Sequence, residues 1–296
     1  MKTLDAIILL SLVICQSLCS AAEPTADFFL SPSGSDAWSG TLSVPNEQHT
    51  DGPFATLERA RDAVRESGKN RAADVVVLVR GGTYQLNKTV VFGLQDSGRG
   101  DSTINYAAFP GETPVFTSGR NIRNWKPPGT ALPGLPEEAI GKVQVADVSG
   151  RFHALFDTDG LLPRARSQGF IPLDGSSRNK LHFPAGRLKN WSNVEDMEIV
   201  VRPHHAWIVN ILPLKSVDEQ KQIASTSIDA TYAMNRLHFL KQTDSCWVEN
   251  ALENLDEPGE WVLNAKQGKL YLWSRNDSLV WAPQLTELIR VEGEID

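Results

Sequence analysis

Residues 74–86 read DVVVLVRGGTYQL, and the way this stretch is buried decides the fold. Val75 to Val79 is continuously apolar rather than alternating, as in a strand covered on both faces or stacked between strands above and below it. Gly81-Gly82 makes a corner, and a second short strand follows around Tyr84. A phosphate-binding loop would need further glycines and a following helix, and neither is there. Downstream the texture repeats: Thr89 to Phe92, the turn DSGRGDS (96–102), Thr103 to Ala108, the corner FPGETP (109–114), Val115-Phe116 and Ser118-Gly119. Short strands divided by Gly, Pro and Asn corners, with no helices between them, predict a parallel β-helix or another all-β stack.

Upstream, FFLSPSGSDAWSG (28–40) is a short apolar strand running into a Gly/Ser/Asp turn cluster. In DGPFATLERARDAVRESG (51–68), Leu57, Ala60 and Val64 share one face, and Arg59, Arg61, Asp62 and Glu66 lie on the other. That spacing predicts an amphipathic helix started near Thr56 and stopped by Gly68. Its narrow apolar stripe can cover something but cannot form a core alone.

After Trp125 the pattern changes. KPPGTALPGLPEE (126–138) is a Pro/Gly-rich connector, followed by longer strands with hairpin turns. RFHALFDTDGLLPRARSQG (151–169) reads as two strands about Asp159-Gly160, MEIVVRPHHAWIVNILPLKSVD (197–218) as another pair, and EWVLNAKQGKLYLW (260–273) as a third turning near Gly268. Residues 121–283 therefore read as a separate antiparallel β module, after which rung-like texture returns at Leu285.

The chain opens MKTLDAIILLSLVICQSLCSAAEP: Lys2, an apolar run from Ala6 to Leu18, then Ser20, Ala21 and Ala22. This is the pattern of a secretory signal peptide over 1–22, cut near Ala22, and the run is too short to span a bilayer comfortably. The expectation is a secreted or periplasmic protein with no stable membrane insertion after cleavage. Cys15 and Cys19 leave with the signal, so Cys246 remains alone and a Cys-based zinc site is excluded. Export without disulfides suggests a bacterial envelope protein with a core large enough to do without them. A net charge of -7 with no Lys/Arg run makes nucleic acid an unsuitable partner.

The stretches LSPSGSDAWSGTLSVPNEQHTDGPFATLERARDAVRES (30–67) and VVVLVRGGTYQL, with AAFPGETPVFTSGR (107–120), resemble the N-terminal end of secreted right-handed parallel β-helix proteins of the pectate-lyase-like kind. FDTDGLLPRAR (156–166) and PGEWVLNAKQGKLYLW (258–273) are similar to the inserted β domain of β-helix glycoside hydrolases related to the α-L-fucosidase and xylanase family. The resemblance implies a mostly β fold: a cap helix and opening rungs of a right-handed parallel β-helix over 23–120, an inserted antiparallel β domain over 121–283, and a resumed β-helix strand over 284–296. In such enzymes LIRVEG (288–293) leads into further coils that carry the catalytic acids. The chain ends LTELIRVEGEID (285–296) without them, so the expectation is an N-terminal portion with no hydrolase activity of its own. The rival expectation is a complete, non-catalytic envelope module that binds polysaccharide. In either case the expected partner is a polysaccharide or glycan.

No catalytic pair stands out. Glycoside hydrolysis needs two carboxyls across a sugar cleft. Glu249, Glu253, Asp256, Glu257 and Glu260 cluster in a Pro/Gly-containing stretch whose composition favours a solvated surface. Trp261, Tyr271 and Trp273, with Trp281, could stack on pyranose rings, and the first three are the candidate substrate-binding residues. Trp261 with Leu263, and Tyr271 with Trp273, sit at strand alternation, which suits a core face at least as well. His204-His205 point to opposite faces of a strand and cannot readily share an ion. Asp157 to Gly160 lacks the later acceptors of a calcium loop, and Gly98 to Ser102, GRGDS, has the composition of a turn. No metal or cofactor is expected.

Overall fold

The computed structural model describes residues 24–68, 73–203, 207–237 and 244–293. The signal-peptide reading and the His204-His205 pair lie outside them. Among the described residues the chain is mostly β, with one α-helix and several small sheets, and it divides into two compact units. One unit runs up to Tyr84 and includes Thr89–Phe116 and the segment from Ile289. The other comprises Gln85–Lys88 and Thr117–Leu288.

The first unit begins with β1 (Phe28–Leu30), followed by α1 (Leu57–Ser67), β2 (Val75–Val79), β3 (Gly82–Gln85), β4 (Val90–Phe92), β5 (Ile104–Ala108) and β6 (Pro114–Thr117). Phe54, fully buried, is gripped by the turn cluster: a Cβ on Gly34 would lie 2.2 Å from the Phe54 carbonyl oxygen, and one on Gly40 2.1 Å from its ring. Asp36 of that cluster accepts from the Ala55 and Thr56 amides at 2.9 Å and from the Thr56 hydroxyl at 2.7 Å. Thr56 is thereby held as the N-cap, its own hydroxyl accepting from the Arg59 amide, and Gly68 closes the helix. The buried face is Leu57, Ala60, Ala63 and Val64. On the polar side, Arg65 makes a two-pronged pair with Asp96 at 2.6 and 2.7 Å.

β2 is the centre of a parallel three-stranded sheet, with Phe28 opposite Val77 on one side and Val75 opposite Ile104 on the other. That placement explains its continuous apolarity. β3 pairs with β6. The Gly82 amide reaches Thr113 O and the Leu86 amide Thr117 O, so donors and acceptors advance together and the two strands run in the same direction.

The second unit contains β7 (Gly119–Ile122), β8 (Val143–Asp147), β9 (Leu155–Asp157), β10 (Gly160–Leu162), β11 (Lys180–His182), β12 (Glu198–Val201), β13 (Asn210–Asp218), β14 (Ile223–Thr226), β15 (Cys246–Glu249), β16 (Trp261–Asn264), β17 (Lys269–Trp273) and β18 (Val280–Pro283). Its registered strand pairs are antiparallel. β11-β14-β13-β12-β15 form a five-stranded sheet whose inner face packs Ile199, Val201, Leu212, Leu214, Cys246 and Val248 into one core. β16-β17-β8 form a sheet buried on both faces: Trp261, Leu263, Leu270 and Leu272 enter one cluster, and Val143, Val145, Val262, Tyr271 and Trp273 another. The Pro/Gly connector takes part, with Leu132 and Leu135 packed against the second cluster.

At the β9–β10 hairpin, Gly160 pairs with Asp157, so the two turn residues are Thr158 and Asp159, with Gly160 entering the strand at φ +116°. Asp157 is a hairpin residue and an ion-pair partner: Arg275 grips both its oxygens at 2.6 and 2.7 Å and holds its carboxyl below the usual carboxylate range. The GRGDS segment is closed as a turn by Ser102, which bonds the Arg99 amide and carbonyl.

The ends of this unit meet. β7 pairs with β18, Gly119 opposite Pro283, and the buried Ser118 hydroxyl accepts from the Gln284 and Leu285 amides at 3.2 Å. The chain then returns to the first unit as β19 (Ile289–Val291), which lies parallel to β4 with Ile289 opposite Val90.

Candidate functional site

The segment 163–170, PRARSQGF, joins the two main sheets of the second unit. Arg164 bridges to Trp261 of β16, whereas Arg166 and Phe170 bridge to Glu249 and Cys246 of β15. Residues two apart on an extended chain share a face. Here the buried Ala165 points inward, while the Arg164 guanidinium lies 5.4 Å from the Trp261 ring centre and the Arg166 guanidinium 5.5 Å from that of Trp247. Arg164 is also ion-paired with Glu198 and donates to the Asp196 carbonyl at 3.1 Å.

β15 alternates in turn. Cys246 and Val248 enter the core, whereas Trp247 and Glu249 face outward. Register places Trp247 beside Val200, and Val200 beside Ile211, so the three form one row on the outer face of the sheet. The Trp247 indole N–H donates to Glu249 at 3.0 Å, which fixes the plane of the ring.

Between segment 163–169 and β15 lies a cleft of about 740 Å³, closed on another side by the turn carrying Asp256, Glu257 and Glu260. Its walls are more polar than apolar, with one half-buried indole among carboxyl, guanidinium, hydroxyl and amide groups.

The acidic cluster is only in part the solvated surface its composition suggests. Asp256 and Glu257 are exposed, but Glu260 is only 7% exposed, its Oε2 accepting from the Asp256 and Glu257 amides at 2.9 and 3.2 Å. Burial pushes the Glu260 carboxyl above its usual range against those two bonds. Partial burial, with the Glu257 and Glu138 charges, pushes Asp256 up as well. Glu253 is a separate case, half-buried and accepting from the Trp191 indole at 3.0 Å.

A carboxyl whose folded pKa is raised disfavours the folded state once it ionises. Its cost is absent below the unfolded pKa and grows as the pH rises from there through the raised value. Gln at position 260 keeps an oxygen for both amides and has no charge. Glu260→Gln is therefore expected to raise the urea midpoint at about pH 7 and leave it nearly unchanged at about pH 3.5. Equal destabilisation at both would show that packing, not charge, governs the position.

The candidate aromatic residues lie elsewhere. Trp261 is fully buried and stacks on Phe152, its indole N–H bonded to Leu162 O at 3.1 Å. Tyr271 and Trp273 are 8% and 9% exposed, packed on the opposite face of their sheet. None of the three offers a sugar ring an open face, and the structure brings them together only as neighbours in the core. Trp247 carried a sequence signal of its own in CWVE (246–249), where apolar inward positions alternate with an aromatic and a carboxylate. Among the described residues, no group of three or more His, Cys, Asp or Glu is placed to hold a metal ion, and no helix is long and apolar enough to cross a membrane.

No protein-family model matches the chain, and no curated protein sequence matches it. The fold is glycoside hydrolase-like. A solved structure titled "Glycoside hydrolase" is similar to it with a TM-score of 0.65 at 22% identity, over 90% of this chain. The chain spans 47% of that structure, about half its length.

Proposed function

We propose that the chain is an exported, carbohydrate-directed polypeptide in which the first unit forms the opening coils of a right-handed parallel β-helix and the second is an antiparallel domain set between coils. The observation that carries this reading is the glycoside hydrolase-like fold over 90% of the chain. Strand order supports the coil. β2, β3 and β4 follow one another in three different sheets, and their next partners are β5, β6 and β19 in the same order. Val75 pairs with Ile104, 29 positions on. Val90 pairs with Ile289, 199 positions on, and leaving out the 172 positions of 117–288 reduces that to 27. Similar spacings on separate sheets are what one turn of a solenoid produces, and parallel crossovers are overwhelmingly right-handed.

The second unit is assigned to holding a glycan rather than cutting it. Hydrolysis of a glycosidic bond needs carboxyls on opposite sides of the scissile linkage. Asp256, Glu257 and Glu260 stand on one turn, with Glu260 committed to backbone amides, and Glu249 across the cleft is committed to the Trp247 indole N–H. The proposal places the hydrolytic acids in the part of the architecture that this chain does not match. The test is to incubate the purified chain with insoluble plant and bacterial polysaccharides, measuring retention and released reducing sugar. Retention without release is expected. Release would place the acids within these residues, and failure to be retained by any polysaccharide would sink the reading.

A further inference from the structure

We infer that the cleft at Trp247 is a binding subsite for an uncharged saccharide, an inference that rests on the carbohydrate-directed reading above. The cleft sets donors and acceptors side by side around a fixed indole. Arg166 lies against the Trp247 ring and has no ion-pair partner among the described residues, so its N–H edge is available. Glu249 is held at the edge of the same ring by the indole N–H, and Glu257 stands exposed on the facing turn. A sugar hydroxyl both donates and accepts, so a vicinal pair can accept from a guanidinium and donate to a carboxylate at once. An indole beside such a pair suits the apolar face of a pyranose.

The Arg164 side chain, which also lines the cleft, is only 9% exposed and is held by Glu198 and by the Asp196 carbonyl, so it forms a fixed part of the wall beside Arg166.

Charge selects the kind of sugar. Asp244, Glu249, Asp256 and Glu257 line the cleft with Glu260, against Arg166 and an Arg164 already paired with Glu198. A uronate would bring a further carboxylate into this field, whereas a neutral hexose or pentose chain would not.

The experiment is calorimetric titration of the full chain with xylohexaose, cellohexaose and mannohexaose, and with trigalacturonate as the acidic probe. At least one neutral oligosaccharide is expected to bind and trigalacturonate to bind at least about tenfold more weakly. Trp247→Ala is expected to weaken neutral binding by about tenfold or more. Because Trp247 is half-buried, Glu257→Ala, at an exposed position, gives a second reading and is expected to weaken binding several-fold, with the far-ultraviolet dichroism of both variants unchanged. Neutral binding that survives both substitutions would overturn the subsite while leaving the carbohydrate reading intact. Equal or tighter binding of trigalacturonate would overturn the charge selection. Absence of binding by any of the four would overturn the subsite, and retention on insoluble polysaccharide would then separate its failure from that of the wider reading.

Discussion

Trp261→Ala is expected to cost about 3–5 kcal/mol of stability, seen as a large drop in the urea midpoint. The indole is wholly enclosed between Phe152 and the Arg164 guanidinium, its N–H spoken for by Leu162 O, and it packs with Leu155, Leu162, Leu270 and Leu272. Removing it opens a cavity that β16 and β17, paired residue for residue, cannot collapse to fill. It also strips Arg164 of its aromatic support, so the 163–170 segment is expected to loosen with it. The change at Trp247 should have the opposite profile, with modest loss of stability and marked loss of saccharide binding. A Trp261→Ala protein that unfolds at the wild-type midpoint would show that this cluster is not a core.

Asn250→Ala is expected to cost about 3 kcal/mol, from unmade buried hydrogen bonds and from backbone strain. Asn250 is fully buried at φ +79°. Its side chain accepts from the Leu263 amide at 2.7 Å and donates to the Leu263 and Asp196 carbonyls at 2.7 and 3.0 Å. It stands in for a strand that is not there, satisfying the open edge of β16. Alanine loses all three bonds and must also hold a left-handed backbone, whereas glycine loses the bonds without that strain. Denaturant midpoints should therefore fall in the order Asn, Gly, Ala, with Gly recovering about 1 kcal/mol of the alanine loss. If the two variants are equally destabilised, the backbone conformation contributes nothing measurable.

Much of the local structure can be read from residue patterns. The helix bounded by Thr56 and Gly68, the strand Val75 to Val79 and the turn at Gly268 all follow from signals that act within a few residues: a cap, a stop, a β-branched run, a positive φ. Asn250 could not be read in this way. Its role depends on Leu263 and Asp196, brought to it only by the folded sheets, and nothing adjacent in the chain marks it.

The site was legible in part. Alternation correctly grouped Trp261 with Leu263 and Tyr271 with Trp273, but alternation cannot say whether a face meets solvent or another layer. Both faces of that sheet are covered, so its largest aromatics lie inside. The outward-facing aromatic is on β15, where Trp247 pairs with Val200 of an adjacent strand, a relation of register rather than of local pattern. Composition likewise suggested solvated acids, because a sequence shows Glu260 near other carboxylates but not the two amides that draw it inward.

The Ser118 hydroxyl, bonded to the amides of Gln284 and Leu285, has a kinetic consequence. Bringing β19 to β4 closes a loop of 199 residues, but once the second unit has folded and its ends are pinned at Ser118, the chain left free is close to the 27 residues of an uninterrupted turn. By the logarithmic dependence of closure entropy on length, that removes roughly 2 kcal/mol from the cost of the last pairing. The intervening domain would then fold first and deliver the returning strand almost as if nothing had been inserted. By the same reasoning, a short linker from Ser118 to Leu285 could replace the whole domain without lengthening the search that β19 must make.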